Sequence, residues 1–187
     1  EALLTEPEAR ALYLFPTKAL AQDQADALAE FGLGFSYGTY DGDTPQPQRR
    51  RIRDQAQIIL TNPDMLHLGI LPQHARWAHV FEHLRYVVID DVHIYRGVFG
   101  TNVAHVIRRL RRICRFHGAD PVFICTSATI ANPREFAAAL LGLPVTVVSG
   151  DGSPSGPRWF VLWNPPVIDH ARAHRSRDQG HRRAGQH

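Results

Sequence analysis

Tyr86-Val-Val-Ile-Asp-Asp-Val-His-Ile-Tyr95 begins with four apolar or aromatic residues in a row, three of them β-branched. Such a run reads as a strand buried on both faces, the habit of a central parallel strand. It stops at two carboxylates, and an ionised carboxylate is too costly to bury without a partner. Asp90 and Asp91 are therefore expected at the carboxyl end of the strand, in the crevice where open α/β sheets bind ligands. In nucleotide hydrolysis a carboxylate so placed holds Mg²⁺ on the phosphates and a neighbour positions the attacking water. Asp90 suits the first role and Asp91 the second. An acidic turn with His93 on the surface explains the same four residues equally well, so the flanking chain has to decide.

Upstream, the pattern of strand, turn and helix start occurs twice. Ala11-Leu-Tyr-Leu-Phe15 reads as a buried strand ended by Pro16, and Thr17 begins a helix that Gly32 stops. Gln57-Ile-Ile-Leu60 is a strand, and Thr61-Asn-Pro-Asp64 caps the next helix. Helix starts at strand ends present free N–H groups, so Thr17 and Lys18 either hold a phosphate or simply cap. Between them, residues 35–40 form a strand, Asp41-Gly-Asp-Thr44 a turn, and 45–56 a helix. That helix carries Arg49, Arg50, Arg51 and Arg53, a pattern more often a solvated face than a nucleic-acid contact. His74, His79 and His83 have no Cys or Glu at zinc spacing and read as surface.

Downstream, Arg96 to Gly100 reads as a flexible link. Thr101 to His117 is the best helix, with Val103, Val106, Ile107, Leu110, Ile113 and Phe116 on one face, an arginine stripe on the other and Gly118 at its end. Residues 121–125 make a strand ending in Thr126-Ser-Ala-Thr129, whose hydroxyls can hydrogen-bond the acidic site. Asn132 caps a helix to Leu141, and strands are expected at 145–148 and 158–163. The boundaries read as one domain over 1–149, a linker over 150–157, the start of a further segment over 158–168, and a disordered tail from 169.

Composition narrows the classes. The 187 residues, 44% hydrophobic, suffice for one buried domain. No apolar run reaches the roughly 18 residues of a membrane span, and the acidic start lacks signal-peptide order, so a cytoplasmic protein without membrane partners is expected. The net charge of +3 misleads, because residues 170–187 hold five Arg and one Asp and leave the rest of the chain at −1. Nucleic-acid binding must rest on local patches. Cys114 and Cys125 read as reduced, buried thiols.

Pro-Thr-Lys-Ala-Leu-Ala-Gln at 16–22, Thr-Asn-Pro-Asp at 61–64, Asp-Asp-Val-His at 90–93 and Thr-Ser-Ala-Thr at 126–129 resemble, in order and spacing, motifs Ia, Ib, II and III of superfamily 2 helicases. Thr-Tyr-Asp-Gly-Asp-Thr (39–44), His-Ile-Tyr-Arg-Gly-Val-Phe-Gly (93–100) and Arg-Arg-Ile-Cys-Arg-Phe (111–116) resemble the DEAD/DEAH-box DNA helicases that end in a cysteine-rich zinc-binding domain, relatives of the large-helicase-related group. The resemblance implies a doubly wound, mostly parallel α/β sheet, the first RecA-like domain, with ATP and Mg²⁺ bound against a second such domain and DNA crossing the rim. It matches Thr17, Lys18, Gly42, Thr61 and Asp64 to positions that touch or support the DNA strand. Asp90 matches the Mg²⁺-binding acid and Asp91 the acid that polarises water. His93 with Thr126, Ser127 and Thr129 matches the link between hydrolysis and movement. The implied reaction is ATP hydrolysis coupled to unwinding, typically 3′ to 5′ and in DNA repair.

The chain departs from that pattern in three ways. The family has Glu where this chain has Asp91. No Gly-x-x-x-x-Gly-Lys-Ser/Thr loop is present and Lys18 is the only lysine, so tight ATP binding and turnover by this chain alone are not expected. The second RecA-like domain and the zinc domain are absent from these residues, and the tail from His170 does not resemble the family, as a shifted reading frame or an artificial extension would explain. A fragment truncated at both ends, with an open sheet edge and marginal stability, is therefore expected. The rival readings are a non-catalytic product with residual nucleic-acid binding, and a metal-dependent hydrolase with Asp90, Asp91 and His93 as ligands.

Overall fold

The computed structural model describes residues 2–30, 32, 34–128, 130–149, 152, 156 and 159–163. Chain order runs α1 (Ala2–Thr5), β1 (Arg10–Leu14), α2 (Lys18–Glu30), β2 (Tyr37–Thr39), α3 (Gln46–Gln55), β3 (Ile58–Thr61) and α4 (Pro63–Met65). A π-helical turn (Leu66–Ile70) and a 3₁₀ segment (Leu71–Trp77) lead into α5 (Ala78–Glu82) and β4 (Leu84–Ile89). A 3₁₀ turn (Val92–Ile94), α6 (Gly97–Phe116), β5 (Val122–Cys125) and α7 (Pro133–Leu141) complete it. The strands form one sheet in the order β2-β3-β1-β4-β5, every pairing parallel. This is the α/β fold expected from the sequence.

Side-chain alternation along the strands explains why helices cover both faces. Leu12 and Leu14 of β1, Ile59 of β3, and Val87 and Ile89 of β4 point to one face, where they join Phe81 of α5 and Ile107, Leu110 and Cys114 of α6. Ala11, Phe15, Ile58 and Leu60 point the other way and meet Ala21 and Ala25 of α2. Burial pushes the Cys114 thiol up to about 12 and the Cys125 thiol up to about 11, so both stay protonated and pack as small hydrophobes.

Several local expectations change. Residues 145–148 and 159–163 form no strand. A strand exists only where another offers a ladder of hydrogen bonds, and among the described residues β5 is the last in the sheet. On β5 itself Val122 and Ile124 are 58% and 42% exposed, leaving one apolar face open. Residues 97–100 are not a link but the first turn of α6, and Gly100 permits this because a Cβ there would lie 2.1 Å from the Tyr95 carbonyl oxygen. Phe116, assigned by its spacing to the buried face, is 75% exposed. Asn132 occupies the N-cap position of α7 without a side-chain capping bond. The end of α6 is as read: Gly118 has φ +80°, and the Gly118 and Ala119 N–H groups donate to the Arg115 and Cys114 carbonyls, a Schellman closure.

The arginine stripe of α6 is neither a solvated face nor a nucleic-acid surface along most of its length. Arg108 donates to the Ala139 carbonyl, and Arg111 to those of Leu141 and Gly142. Both satisfy the free carbonyls at the C-terminus of α7, where cations are favoured. Arg109 donates to the His67 carbonyl in the same manner.

At the C-terminal end of α6, His74 Nδ1 and His117 Nε2 lie 3.1 Å apart, and Phe81 stacks on the His117 ring. Burial, then the neighbouring His74, lowers the His117 pKa, against an opposing pull from Glu82. Below about pH 6.5 the unfolded chain therefore takes up this proton before the folded one, so stability falls with pH in that window and is level above it. Urea midpoints should be lower at about pH 5 than at about pH 7.5. The His117→Asn variant should show a smaller difference; an unchanged difference would exclude His117 as its source.

The chain divides into two units, Glu1–Val148 and Ser149–His187. In the second unit, the described residues 159–163 present Trp159, Phe160, Val161, Leu162 and Trp163 to solvent. The expected linker and tail lie almost wholly outside the described residues.

Candidate functional site

Parallel pairing in register brings the carboxyl ends of all five strands to one rim. Main-chain bonds tie these ends together: Tyr40 N–H donates to Leu60 O, Phe15 N–H to Thr61 O, Asp90 N–H to Leu14 O and Thr126 N–H to Ile89 O. Each motif read from the sequence follows one of these ends. The sheet order also sorts them, with 17–18, 41–44 and 61–64 after β1, β2 and β3, and the acidic and hydroxyl residues after β4 and β5.

On the acidic side, Thr126 is the joint. Its hydroxyl donates to Asp90 Oδ1, and its Oγ1 accepts from the Asp91 N–H at 3.4 Å. The Thr126 carbonyl accepts from Val92 N–H. Asp91 has φ 49° and ψ 45°, a left-handed conformation that aspartate tolerates better than most residues. Both carboxylates are half-buried. His93 Nδ1 is 3.4 Å from the Ala128 N–H that donates to it, and 3.7 Å from Asp91 Oδ1. One nitrogen cannot accept from the amide and donate to the carboxylate; only the amide lies within hydrogen-bond reach, so Nδ1 acts as the acceptor. Ser127 is exposed between these contacts, and Thr129 lies outside the described residues.

Sequence reasoning missed Tyr95. Its hydroxyl is buried behind the acidic pair without a hydrogen-bond partner among the described residues. Burial first, then Asp90 and Asp91, raises its pKa, so it remains a neutral phenol. An aromatic six residues past a strand end carries no signal of this in the sequence.

On the other side, Thr17 Oγ1 accepts from Leu20 N–H and caps α2, as read. Lys18 Nζ bonds Asp43 at 2.7 Å, which raises the lysine pKa, and both side chains are exposed. A Cβ on Gly42 would lie 3.5 Å from that same nitrogen, so Thr17, Lys18 and Gly42 gather at one place. Gly42 does not have a positive φ. Its missing side chain instead keeps the loop open to close approach.

Thr61 is 1% exposed and its hydroxyl donates to the Tyr40 carbonyl at 2.6 Å, so of the two roles, touching and supporting, its position suits support: it ties β3 to the start of the 41–44 loop. Asn62, not Thr61, caps α4, accepting from Met65 N–H at 2.8 Å. Asp64 follows in the first turn and is exposed.

Asp90, Asp91 and His93 do not converge as metal ligands. The one group of three among the described residues is Glu8, His79 and His83, with ligand atoms within 4.8 Å of each other. Glu8 is remote in sequence, which hid the grouping. The Arg10 guanidinium lies 3.0 Å from His79 Nε2 and sets a fixed positive charge where a cation would sit.

Comparison with known proteins identifies the arrangement. The DEAD/DEAH box helicase family matches residues 1–136. The "Uncharacterized ATP-dependent helicase YprA" of Bacillus subtilis is 57% identical over 164 residues, which are 86% of this chain and 22% of the relative. The "ATP-dependent helicase HRQ1" of Saccharomyces cerevisiae is 44% identical over 177 residues, 90% of this chain and 16% of the relative. The chain thus spans about a fifth of the length of the curated relatives it matches. Among solved structures, "DUF1998 helicase MrfA bound to DNA and AMPPNP" superposes with a TM-score of 0.82 at 54% identity, over 90% of this chain and 24% of that one. Strand order, strand-end motifs and these matches agree that the chain belongs to the DEAD/DEAH box helicase family.

Proposed function

We propose that these residues are part of the first RecA-like domain of an ATP-dependent DNA helicase that works 3′ to 5′ in DNA repair and ends in a zinc-binding domain. The observation that carries this reading is the Thr126 hydroxyl on Asp90, which links the hydroxyl motif after β5 to the acidic motif after β4. MrfA, similar over most of this chain, is named as bound to DNA and AMPPNP, which supports ATP and DNA as ligands.

The acidic side fits a nucleotide-bound Mg²⁺: Asp90 is a half-buried carboxylate at a strand end with one oxygen engaged by Thr126. Asp90 would hold the ion, which on ATP neutralises charge developing on the phosphates. Asp91 polarises the attacking water. His93, Thr126, Ser127 and Thr129 relay the state of the site to the rim. Thr17, Lys18, Gly42 and Asp64 face the DNA backbone, and Thr61 holds the loop that bears Gly42. These 187 residues contain no Gly-x-x-x-x-Gly-Lys-Ser/Thr loop to cradle the triphosphate.

The test is ATP hydrolysis with and without single-stranded DNA, in the 187-residue chain and in the whole protein. The chain alone should show no DNA-stimulated turnover. In the whole protein Asp90→Ala should lower DNA-stimulated turnover by about a hundredfold to a thousandfold, the usual loss of a main electrostatic stabiliser. Undiminished turnover in that variant would remove Asp90 from the mechanism.

A further inference from the structure

Helix α3 carries Arg49, Arg50, Arg51 and Arg53 and buries none of its residues. A solvated face explains such a helix only if its guanidiniums stand apart in open water. Three of them instead share one cavity of about 910 Å³ with Arg76, which faces them from the 3₁₀ segment. Asp54 is the single carboxylate in its lining, and Arg53 holds it at 2.8 Å. Four cations against one anion form a local positive groove in a chain that is slightly negative over residues 1–169.

Two observations specify what such a groove takes. Its floor is Tyr40 and Trp77, 8% and 2% exposed and packed edge to face at 4.8 Å. These rings are locked in the core and cannot stack on bases, so the groove recognises charge and not sequence. Arg49 then joins the groove to the rim. Its Nε donates to the Thr44 carbonyl, and its Nη2 to those of Asp41 and Gly42, at 2.8, 2.8 and 2.9 Å. One guanidinium thus lines the groove and braces the loop that holds Gly42 against Lys18.

We infer that the groove between α3 and the 3₁₀ segment carries the phosphodiester backbone of a single DNA strand onward from the 41–44 loop. Arg50 and Arg76 contact phosphates and Arg49 is the positioning residue. The inference rests on the DNA-binding reading of the rim. Arg49 and Arg50 lie about one helical turn, roughly 5.4 Å, from Arg53, so the cations are strung along a path and not gathered around one small anion.

The test is binding of a single-stranded oligonucleotide to the 187-residue chain, followed by fluorescence anisotropy across a range of salt. Each phosphate neutralised on a single strand contributes about 0.7 to the slope of log affinity against log salt. Arg50→Ala with Arg76→Ala removes two exposed cations, so the slope should become shallower by about 1.4 and affinity should fall about 25-fold near 0.1 M salt, converging with wild type near 1 M. Arg112→Ala with Arg115→Ala, exposed on α6, should leave both unchanged. An unaltered slope in the groove variant overturns the inference, as does an equal loss in the α6 variant, which would indicate bulk charge alone. A loss seen with duplex but not with single strand overturns the single-strand path. A wild-type chain that binds no oligonucleotide overturns the DNA-binding reading itself, a result distinct from an unaltered slope.

Discussion

Asp91→Glu is expected to raise DNA-stimulated ATP turnover of the whole protein, by up to about a hundredfold. The helicases this chain resembles have glutamate at that position, and aspartate draws the carboxylate back by one methylene. Misplacing a reacting group by about 1 Å costs on the order of a hundredfold in rate. The gain has an opposing contribution. Asp91 is left-handed at φ 49°, and glutamate is less suited to that region than aspartate, whose short polar side chain bonds locally. That difference is on the order of 1 kcal/mol, less than the nearly 3 kcal/mol that a hundredfold rate represents, so the gain should prevail. Turnover measured beside DNA affinity checks this. Equal or lower turnover with DNA binding intact would show that the carboxylate at 91 does not polarise the water.

Ile59→Ala should have the largest effect on stability, about 3 kcal/mol. Ile59 is 0% exposed in β3, between β2 and β1, and packs into the larger core beside Leu12 and Val87. Its truncation loses transfer energy and leaves a cavity that rigid neighbours on both sides cannot close. Set against a typical total of about 5–15 kcal/mol, this is a large share. Val122→Ala removes similar apolar bulk from a residue that is 58% exposed, and should change stability by no more than about 0.5 kcal/mol. Urea denaturation of both variants decides: a loss below about 1 kcal/mol for Ile59→Ala would contradict its place in the packed centre of the sheet.

The sheet was legible because its signals are local. Apolar runs such as 11–15 and 86–89 form strands wherever a neighbour exists, and each ends at a polar turn that the parallel register carries to one rim. Residues 145–148 show the limit of that reasoning, since β propensity names a candidate strand but not its partner. Side-chain roles were less legible where they depend on tertiary placement. Thr61 carries the same hydroxyl as Thr17, yet one is sealed against the Tyr40 carbonyl and the other caps α2 in the open. Arg108, Arg111 and Arg49 each stand in a run of arginines, and their spacing gives no sign of the carbonyls they meet. The Asp90, Asp91 and His93 neighbourhood was found from its order in the chain, whereas Tyr95 became visible only with its burial.

The seam between the two halves of the rim is a bond from the Asp90 amide to the Leu14 carbonyl, main chain to main chain. Every sequence supplies such groups, so the turn residues on either side can be exchanged without breaking this bond. The 41–44 and 61–64 turns of one family member, grafted between β1 and α5 of another, should carry their DNA preference with them and leave the recipient's acidic site in register. Modularity of this kind follows from the sheet alone, and makes chimaeras a direct way to assign nucleic-acid specificity within the family.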